Sequence, residues 1–208
     1  MKQHLILPFF LAMALPAGAQ QAPSIRDLVS VIAGAGLSTY DYRTPGNRFS
    51  GSALLNPEVG FLADFPVTTA CYLQPGLFYT EKGGRNRVTG KSLSLSYLEL
   101  PMDFVFRPEL GKGKSFWVGF GPYIAYGFAG RSGTGSDPFH PGQQGGLYRF
   151  DTGGHLQIGY QAPFGILVGI NEQLGLANIR VDGTNDYAFR NNFFSLFLGY
   201  CFTRVRAP

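Results

Sequence analysis

The chain has 208 residues, of which 14% are charged and 45% apolar, with 29 glycines and 14 prolines. Charge this sparse lies well below the roughly 25% of ordinary soluble domains, and glycine and proline at this density exclude a mainly helical protein. A formal charge of +4 is too small a surplus to imply a nucleic-acid partner, and no apolar run reaches the ~20 residues that a membrane helix needs.

The chain opens with Lys2, the apolar run LILPFFLAMAL and the small residues Ala17-Gly18-Ala19. That order reads as a secretory signal over residues 1–19, cleaved after Ala19. No cysteine stands at the cleavage point, so a lipid-anchored terminus is not expected. Residues 20–28 form a polar lead, residues 29–203 the folded domain and residues 204–208 a tail.

From Val29 the pattern has period two, the mark of a strand that shows one face to each side. In VSVIAGAGLST, Val29, Val31, Ala33, Ala35 and Leu37 alternate with Ser30, Ile32, Gly34, Gly36 and Ser38. Residues 40–52, with Pro45-Gly46-Asn47, read as a polar loop. ALLNPEVGFLADF then sets Leu55, Val59, Phe61 and Phe65 against Asn56, Glu58, Gly60 and Asp64. After a corner at Pro66, ACYLQPGLFYTE opposes Leu73, Leu77 and Tyr79 to Tyr72, Gln74, Gly76 and Thr80.

A glycine-rich basic stretch, GGRNRVTGK, leads into the hairpin that carries the strongest signal. Its first arm places Leu98, Leu100, Met102, Phe104 and Phe106 opposite Glu99, Pro101, Asp103 and Val105. Its second arm places Phe116, Val118, Phe120, Ile124, Tyr126 and Phe128 opposite Gly119, Gly121, Ala125 and Gly127. A soluble sandwich would bury the bulky face and carry Lys, Glu and Thr on the other. Here the second face is glycine, alanine and a few acids, which suits the interior of a narrow barrel whose bulky face meets lipid. Gly119-Phe120-Gly121 lies mid-strand with no helix after it, so it reads as close packing rather than a nucleotide loop.

The breaker-rich residues 131–146 follow. Then LYRFDTGGHLQIGYQ opposes Phe150, Leu156, Ile158 and Tyr160 to Arg149, Asp151, Gly153, His155, Gln157 and Gly159. Beyond the Ala162-Pro163 turn come FGILVGINEQLGLANI, the loop RVDGTNDYAFRNN and the final run FFSLFLGYCF. Glu172 shares a phase with Ile166, Val168, Ile170 and Leu174, so it faces lipid unless a bulge shifts it. Prolines 57, 75, 101 and 122 fall inside strand-like runs, and bulges or barrel rims are the expected accommodation.

These runs predict an all-β fold: an eight-stranded antiparallel up-and-down transmembrane β-barrel. Long polar links alternate with short turns near Pro66, Glu109 and Pro163, the asymmetry of outer-membrane barrels, and the expected location is the cell outer membrane. Arg43, Arg48, Lys82, Arg85, Arg87, Lys91, Arg131, Arg180 and Arg190 fall between the runs and read as solvated loop charge able to meet anionic lipid. Cys71 and Cys201 fall on strands that are not neighbours, so no disulfide is expected.

The inward groups Glu58, Asp64, Glu99, Asp103, Arg149, Asp151, His155, Gln157, Asn171 and Gln173 form the candidate site, a polar lumen network. Its expected role is mutual neutralisation, because unpaired interior charge is costly. A lipid-modifying barrel enzyme would need a histidine with an acid and a serine. His155 is the one histidine within a strand, no serine matches its depth on an adjoining run, and His140 lies in a proline-flanked loop. A soluble lipocalin-like barrel is the other alternative and would need the aromatic face inside. No catalytic residue, cofactor or metal site is expected. The expected partners are outer-membrane lipid and lipopolysaccharide, with envelope or secretion-system proteins as a further class, and the expected state is a monomer. Tyr40, Tyr42, Phe139 and Tyr187 among basic loop residues are read either as a partner- or sugar-binding surface or as a cap.

GAGLS, YLELPMDFVF, FGPYIAYGFAG, QLGLANI and the terminal FFSLFLGYCF, together with the signal, resemble the PorT-like outer-membrane β-barrel family over nearly the whole mature chain. The resemblance implies an eight-stranded barrel in Gram-negative bacteria with type IX-like secretion, and an accessory part in protein secretion. The chain departs from the family pattern by running past Phe202 through TRVRAP.

Overall fold

The computed structural model describes residues 29–133, 135–140, 146–181 and 187–202. The signal assigned to residues 1–19, the lead 20–28 and the TRVRAP tail lie outside them. Ten strands run in order: β1 Val29–Thr44, β2 Asn47–Ser50, β3 Leu54–Ala63, β4 Phe65–Pro66, β5 Cys71–Arg85, β6 Ser92–Phe106, β7 Ser115–Ser132, β8 Phe150–Gln161, β9 Ile166–Gly175 and β10 Ala188–Cys201. β2, β3 and β4 are pieces of one wall, for β2 folds back on the far end of β1 and β4 continues alongside β5. Every pairing is antiparallel and joins sequence neighbours, until β10 pairs with β1 from Ser30↔Cys201 to Arg43↔Ala188 and closes the sheet. Eight walls therefore make a closed up-and-down barrel without a free edge.

The alternation read from the sequence sets the two faces. Phe104, Phe120 and Leu196 point outward at 42%, 61% and 60% exposure, so the bulky alternating face is the outer one, opposite to what the lipocalin-like alternative needs. Outward rings gather near both ends of the apolar belt: Phe116 against Tyr160 toward the short turns, and Tyr126 against Phe150 toward the long links. Such girdles mark the two membrane–water interfaces.

The inner face is bulkier than a reading of small and ionisable residues suggests. Trp117, Tyr123, Phe78, Phe193 and Phe197 all point inward and are buried. Glycines opposite them supply the room. A Cβ on Gly159 would stand 2.2 Å from the Trp117 ring, and one on Gly127 would stand 2.2 Å from Phe139. Two apolar clusters result. One, with Ile32, Leu62, Val105, Trp117, Leu167 and Phe197, lies toward the short turns; the other, with Tyr40, Leu95, Tyr97, Phe139, Ile179 and Phe189, lies toward the long links.

Several expectations need correction. Residues 40–52 are not a loop: β1 continues to Thr44, Gly46 turns the chain at φ 75°, and β2 returns with Asp41↔Ser50 paired. The prolines do not sit at bulges. The ladder between β5 and β6 lapses after Pro75↔Met102 and resumes at Phe78↔Glu99 in the same register, and a similar lapse follows Pro101↔Tyr123 on β7. The irregularity in those ladders lies elsewhere, between Ser96 and Tyr97. No bulge rescues Glu172 either. Its register is unbroken from Leu156 on β8 to Phe194 on β10, so the carboxylate stands on the outer face among apolar neighbours. The reading of Cys71 and Cys201 needs no correction: they lie on β5 and β10 with no disulfide between them.

The outer face has a stability consequence. Leu196 lies near the middle of the outward row of β10, and Leu196→Arg is expected to cost about 2–4 kcal/mol, the cost of a cation at bilayer mid-depth. Glu172→Leu is expected to stabilise the barrel by about 1 kcal/mol, because it removes a charge from the belt. Urea unfolding in lipid vesicles, followed through Trp117, the single tryptophan, measures both.

Candidate functional site

Each lumenal side chain is placed by strand parity, and the network starts at the short-turn rim. Asp64 at the end of β3 takes Arg107 at 2.6 Å, and Gln74 of β5 donates to the same carboxylate at 2.5 Å. Gln157 of β8 donates to Gln74 at 2.7 Å and to Asp103 of β6 at 2.6 Å, while Trp117 donates to Gln157 at 3.1 Å. Asp103 also meets Nδ1 of His155 at 2.6 Å. The Arg107 guanidinium lies 5.4 Å from the ring centres of both Tyr72 and Trp117, which shields it from the aqueous rim.

A second group spans the barrel at mid-height. Asn171 donates to both oxygens of Glu58 at 3.1 and 3.0 Å, and the Ser195 hydroxyl lies 2.5 Å from Glu58 and 3.0 Å from Asn171. The third group lies toward the long links. Lys82 Nζ stands 3.1 Å from Glu99 and 4.2 Å from the centre of the Tyr123 ring, and both charged side chains are fully enclosed. Asn191 bridges Tyr97 and Asp151 at 3.2 and 3.1 Å. Gln173 is buried on β9, and its Oε1 has no hydrogen-bond partner among the described residues.

Nine of the ten expected residues thus line the lumen. Arg149 does not. It precedes Phe150, the first residue of β8, so its side chain lies at the mouth, donating to Gly127 O at 2.9 Å and meeting Asp137 at 3.3 Å. Sequence reasoning missed Lys82 and Arg107. Lys82 continues the inward parity of Gln74, Phe78 and Thr80, but Gly83-Gly84 had suggested that the strand was over. Arg107 follows the last outward residue of β6, Phe106, and carries the inward parity of Asp103 and Val105 past the strand end. Five lumenal carboxyl groups therefore face Lys82, Arg107 and one histidine, a balance that depends on hydrogen bonds as well as on ion pairs.

The chemistry this arrangement allows is limited. Asp103 orients His155, but among the described residues no hydroxyl lies within hydrogen-bond reach of the imidazole, and the Ser195 hydroxyl is engaged by Glu58 and Asn171. The components of an acyl-transfer triad are present but dispersed. Among the described residues no three His, Cys, Asp or Glu side chains group as metal ligands.

Above the upper apolar cluster a cleft of about 530 Å³ opens among the long links. Tyr40, Tyr42, Phe189, Asn86, His140 and Arg180 are among the residues that line it. A second lobe of about 370 Å³ shares Tyr40, Tyr42 and Asn86 and adds Arg48 and Arg87. Tyr40 stacks on Phe189 with ring centres 4.8 Å apart, and Arg180 lies 5.2 Å from the rings of Tyr42 and Tyr187 while bonding the Tyr42 hydroxyl. Of the aromatics read as a surface or a cap, Phe139 is buried in the upper apolar cluster and Tyr40 and Tyr42 line the cleft.

No protein-family model and no curated protein matches the chain. Among solved structures, the outer-membrane enzyme PagL is 15% identical, covers 82% of this chain and 98% of its own, and superposes with a TM-score of 0.53. Neisserial surface protein A is 12% identical over 83% of this chain and 96% of its own, with a TM-score of 0.48. Ail, the attachment invasion locus protein of Yersinia pestis, is 13% identical over 84% and 98%, with a TM-score of 0.42. At its identity the PagL likeness speaks for the fold alone, and that fold is a small closed barrel of the outer membrane. With its apolar outer belt and aromatic girdles, the chain is an integral outer-membrane β-barrel protein.

Proposed function

We propose that this barrel is non-enzymatic and serves the envelope as a structural element or as an accessory to transport and protein secretion. The observation that carries this reading is the lumen. Its ionisable side chains are met by ion pairs and by amide and hydroxyl hydrogen bonds interleaved with two apolar clusters, so the described interior is filled by side chains that tie the walls together. Eight strands leave an interior just wide enough for side chains to fill. The PorT-like resemblance of YLELPMDFVF and FFSLFLGYCF supports the secretion half of the proposal; it rests on sequence likeness, without a matching family model. Outer-membrane lipid and lipopolysaccharide are the proposed surroundings of the belt, with secretion-system proteins as partners of a monomeric barrel.

Complementation tests the role. Deleting the gene is expected to leave exported cargo in the periplasm, and wild-type protein restores its release. His155→Asn keeps a nitrogen that donates to Asp103 and removes the acid–base group, and it is expected to restore release fully. Rescue by wild type alone would argue for catalysis.

The network itself has a thermodynamic signature. Lys82→Met leaves Glu99 buried without its cation and is expected to cost about 3–5 kcal/mol. The double change Lys82→Met with Glu99→Leu is expected to recover most of that loss, because an apolar pair of similar volume needs no neutralisation. Unfolding monitored at Trp117 measures both, and an additive double variant would refute the pairing.

A further inference from the structure

Read from the sequence, Arg43, Arg48 and Arg190 fall between strand-like runs, yet all three lie on strands, Arg43 on β1, Arg48 on β2 and Arg190 on β10, and all are exposed. Outward parity on β1 runs from Leu37 through Thr39 and Asp41 to Arg43, and on β10 from Phe194 through Asn192 to Arg190. Leu37 and Phe194 face each other as the last bulky apolar side chains of these rows toward the long links. Asp41 and Arg190 face each other four residues further on, about 10 Å farther from the membrane centre for strands that rise ~3.4 Å per residue at a tilt of ~40°. The long-link end of such a barrel faces the cell exterior. These arginines therefore border the headgroups of the outer leaflet, and their long side chains can bend down to them.

Their charges do not cancel. Asp41 takes Arg48 at 2.8 Å on one oxygen and accepts from the Ser50 hydroxyl at 2.6 Å on the other, so its charge is spent and the Arg48 guanidinium is fixed. Arg43 and Arg190 have no ion pair among the described residues. Arg43 also stands directly opposite Arg48 in the β1–β2 ladder, a like-charge pairing that costs stability until an anion comes between them. On its other side Arg43 faces the small Ala188, which leaves a shallow notch walled by Asp41, Arg43, Arg48 and Arg190. Three arginines against one carboxylate leave it a net charge of +2.

A phosphate monoester carries about −1.5 to −2 near neutral pH, and its oxygens accept paired hydrogen bonds from guanidinium forks. It matches the notch in charge and in donors, whereas a carboxylate or a phosphodiester, with about one negative charge, leaves an arginine unanswered. We propose that the notch on the β10–β1–β2 wall binds the phosphomonoester headgroup of an anionic lipid of the outer leaflet. Arg43 and Arg190 grip the phosphate, and Arg48, held by Asp41, flanks it. Dissolved phosphate offers the same oxygens, but a lipid also lays acyl chain on Leu37, Leu55 and Phe194, which adjoin one another on the outer face below the notch. The notch serves this way only on a barrel seated in the outer membrane, and the proposal rests on that reading.

The test uses the full chain folded in phosphatidylcholine nanodiscs doped with lipid A, with lipid A stripped of its phosphates, or with phosphatidic acid, and native mass spectrometry reads the lipids that stay on the released barrel. Lipid A and phosphatidic acid are expected to be enriched over phosphatidylcholine, and the stripped form is not. Arg43→Gln and Arg190→Gln are each expected to cut the enrichment about tenfold. Arg131→Gln, which removes an exposed arginine of β7 across the barrel, is expected to leave it unchanged. Heat-modifiable gel mobility, the same in every variant, separates loss of the site from loss of the barrel. Enrichment of lipid A without phosphatidic acid upholds the notch and extends it to the sugar that bears the phosphate. Equal enrichment of the stripped form, no enrichment of any lipid, or an equal loss in Arg131→Gln would overturn the site. Full displacement by millimolar inorganic phosphate would assign it to a dissolved anion and overturn the lipid.

Discussion

In hydrocarbon a backbone N–H or C=O finds no water, so each must be met by another strand, and an open sheet edge cannot be tolerated. That one requirement explains the pairing of β10 with β1 and the continuity of the ladders around the barrel. It also explains why mid-strand prolines are accommodated in register. The ladder can lapse for two residues beside Pro75 and resume, because the flanking bonds hold the walls in place. A slip of one residue would carry Phe104 and Phe120 into the lumen and Asp103 and His155 into lipid, a penalty on both faces that locks the register.

Closure then sets a second problem, since a barrel this narrow must fill its own centre. The solution interleaves two kinds of filling: aromatic and aliphatic clusters lie toward the two ends, and hydrogen-bonded polar groups run among them from Asp64 and Arg107 at the short-turn rim to Lys82 and Glu99 toward the long links. Lys82 shows the logic at one residue: it is fully enclosed, ion-paired with Glu99 and packed over Tyr123, so its charge is answered on more than one side. The surplus of carboxylates is met by amides and hydroxyls, with Asn171 and Ser195 serving Glu58 and Gln157 serving Asp103. Such groups add directionality that apolar packing lacks, and with it a defined set of facing walls.

Much of this was legible in the sequence because period-two alternation persists wherever one face meets lipid. Leu98 to Phe106 and Phe116 to Phe128 face outward as the alternation requires, and nine of the ten candidate lumen residues face inward. What escaped was governed by strand ends. Gly83-Gly84 looks like a breaker pair, yet β5 runs through it to Arg85, since a Cβ at Gly83 would meet the Leu93 carbonyl across the ladder at 2.0 Å. Those glycines serve close approach rather than a turn, and Lys82 was lost to the loop as a result. Pro45-Gly46 misled in the same way, because a tight hairpin turn and a long loop share the same residue types. Arg149 failed for the opposite reason, its parity being extended past the point where β8 begins. Trp117 and Tyr123 were hidden because alternation records which face a residue takes, and the glycine opposite that makes room for it lies on another strand.

The seam between β1 and β10 has a consequence for assembly. All other walls are hairpins whose halves lie close along the chain and can zip locally, but this one unites the first described strand with the last. It is the contact of highest order and the slowest to find. Until it forms, two unsatisfied edges flank a nearly complete sheet, and a neighbouring copy could pair with either edge. Biogenesis therefore depends on shielding those edges until the last strand emerges, and a chain cut short within β10 would favour intermolecular strand exchange over insertion.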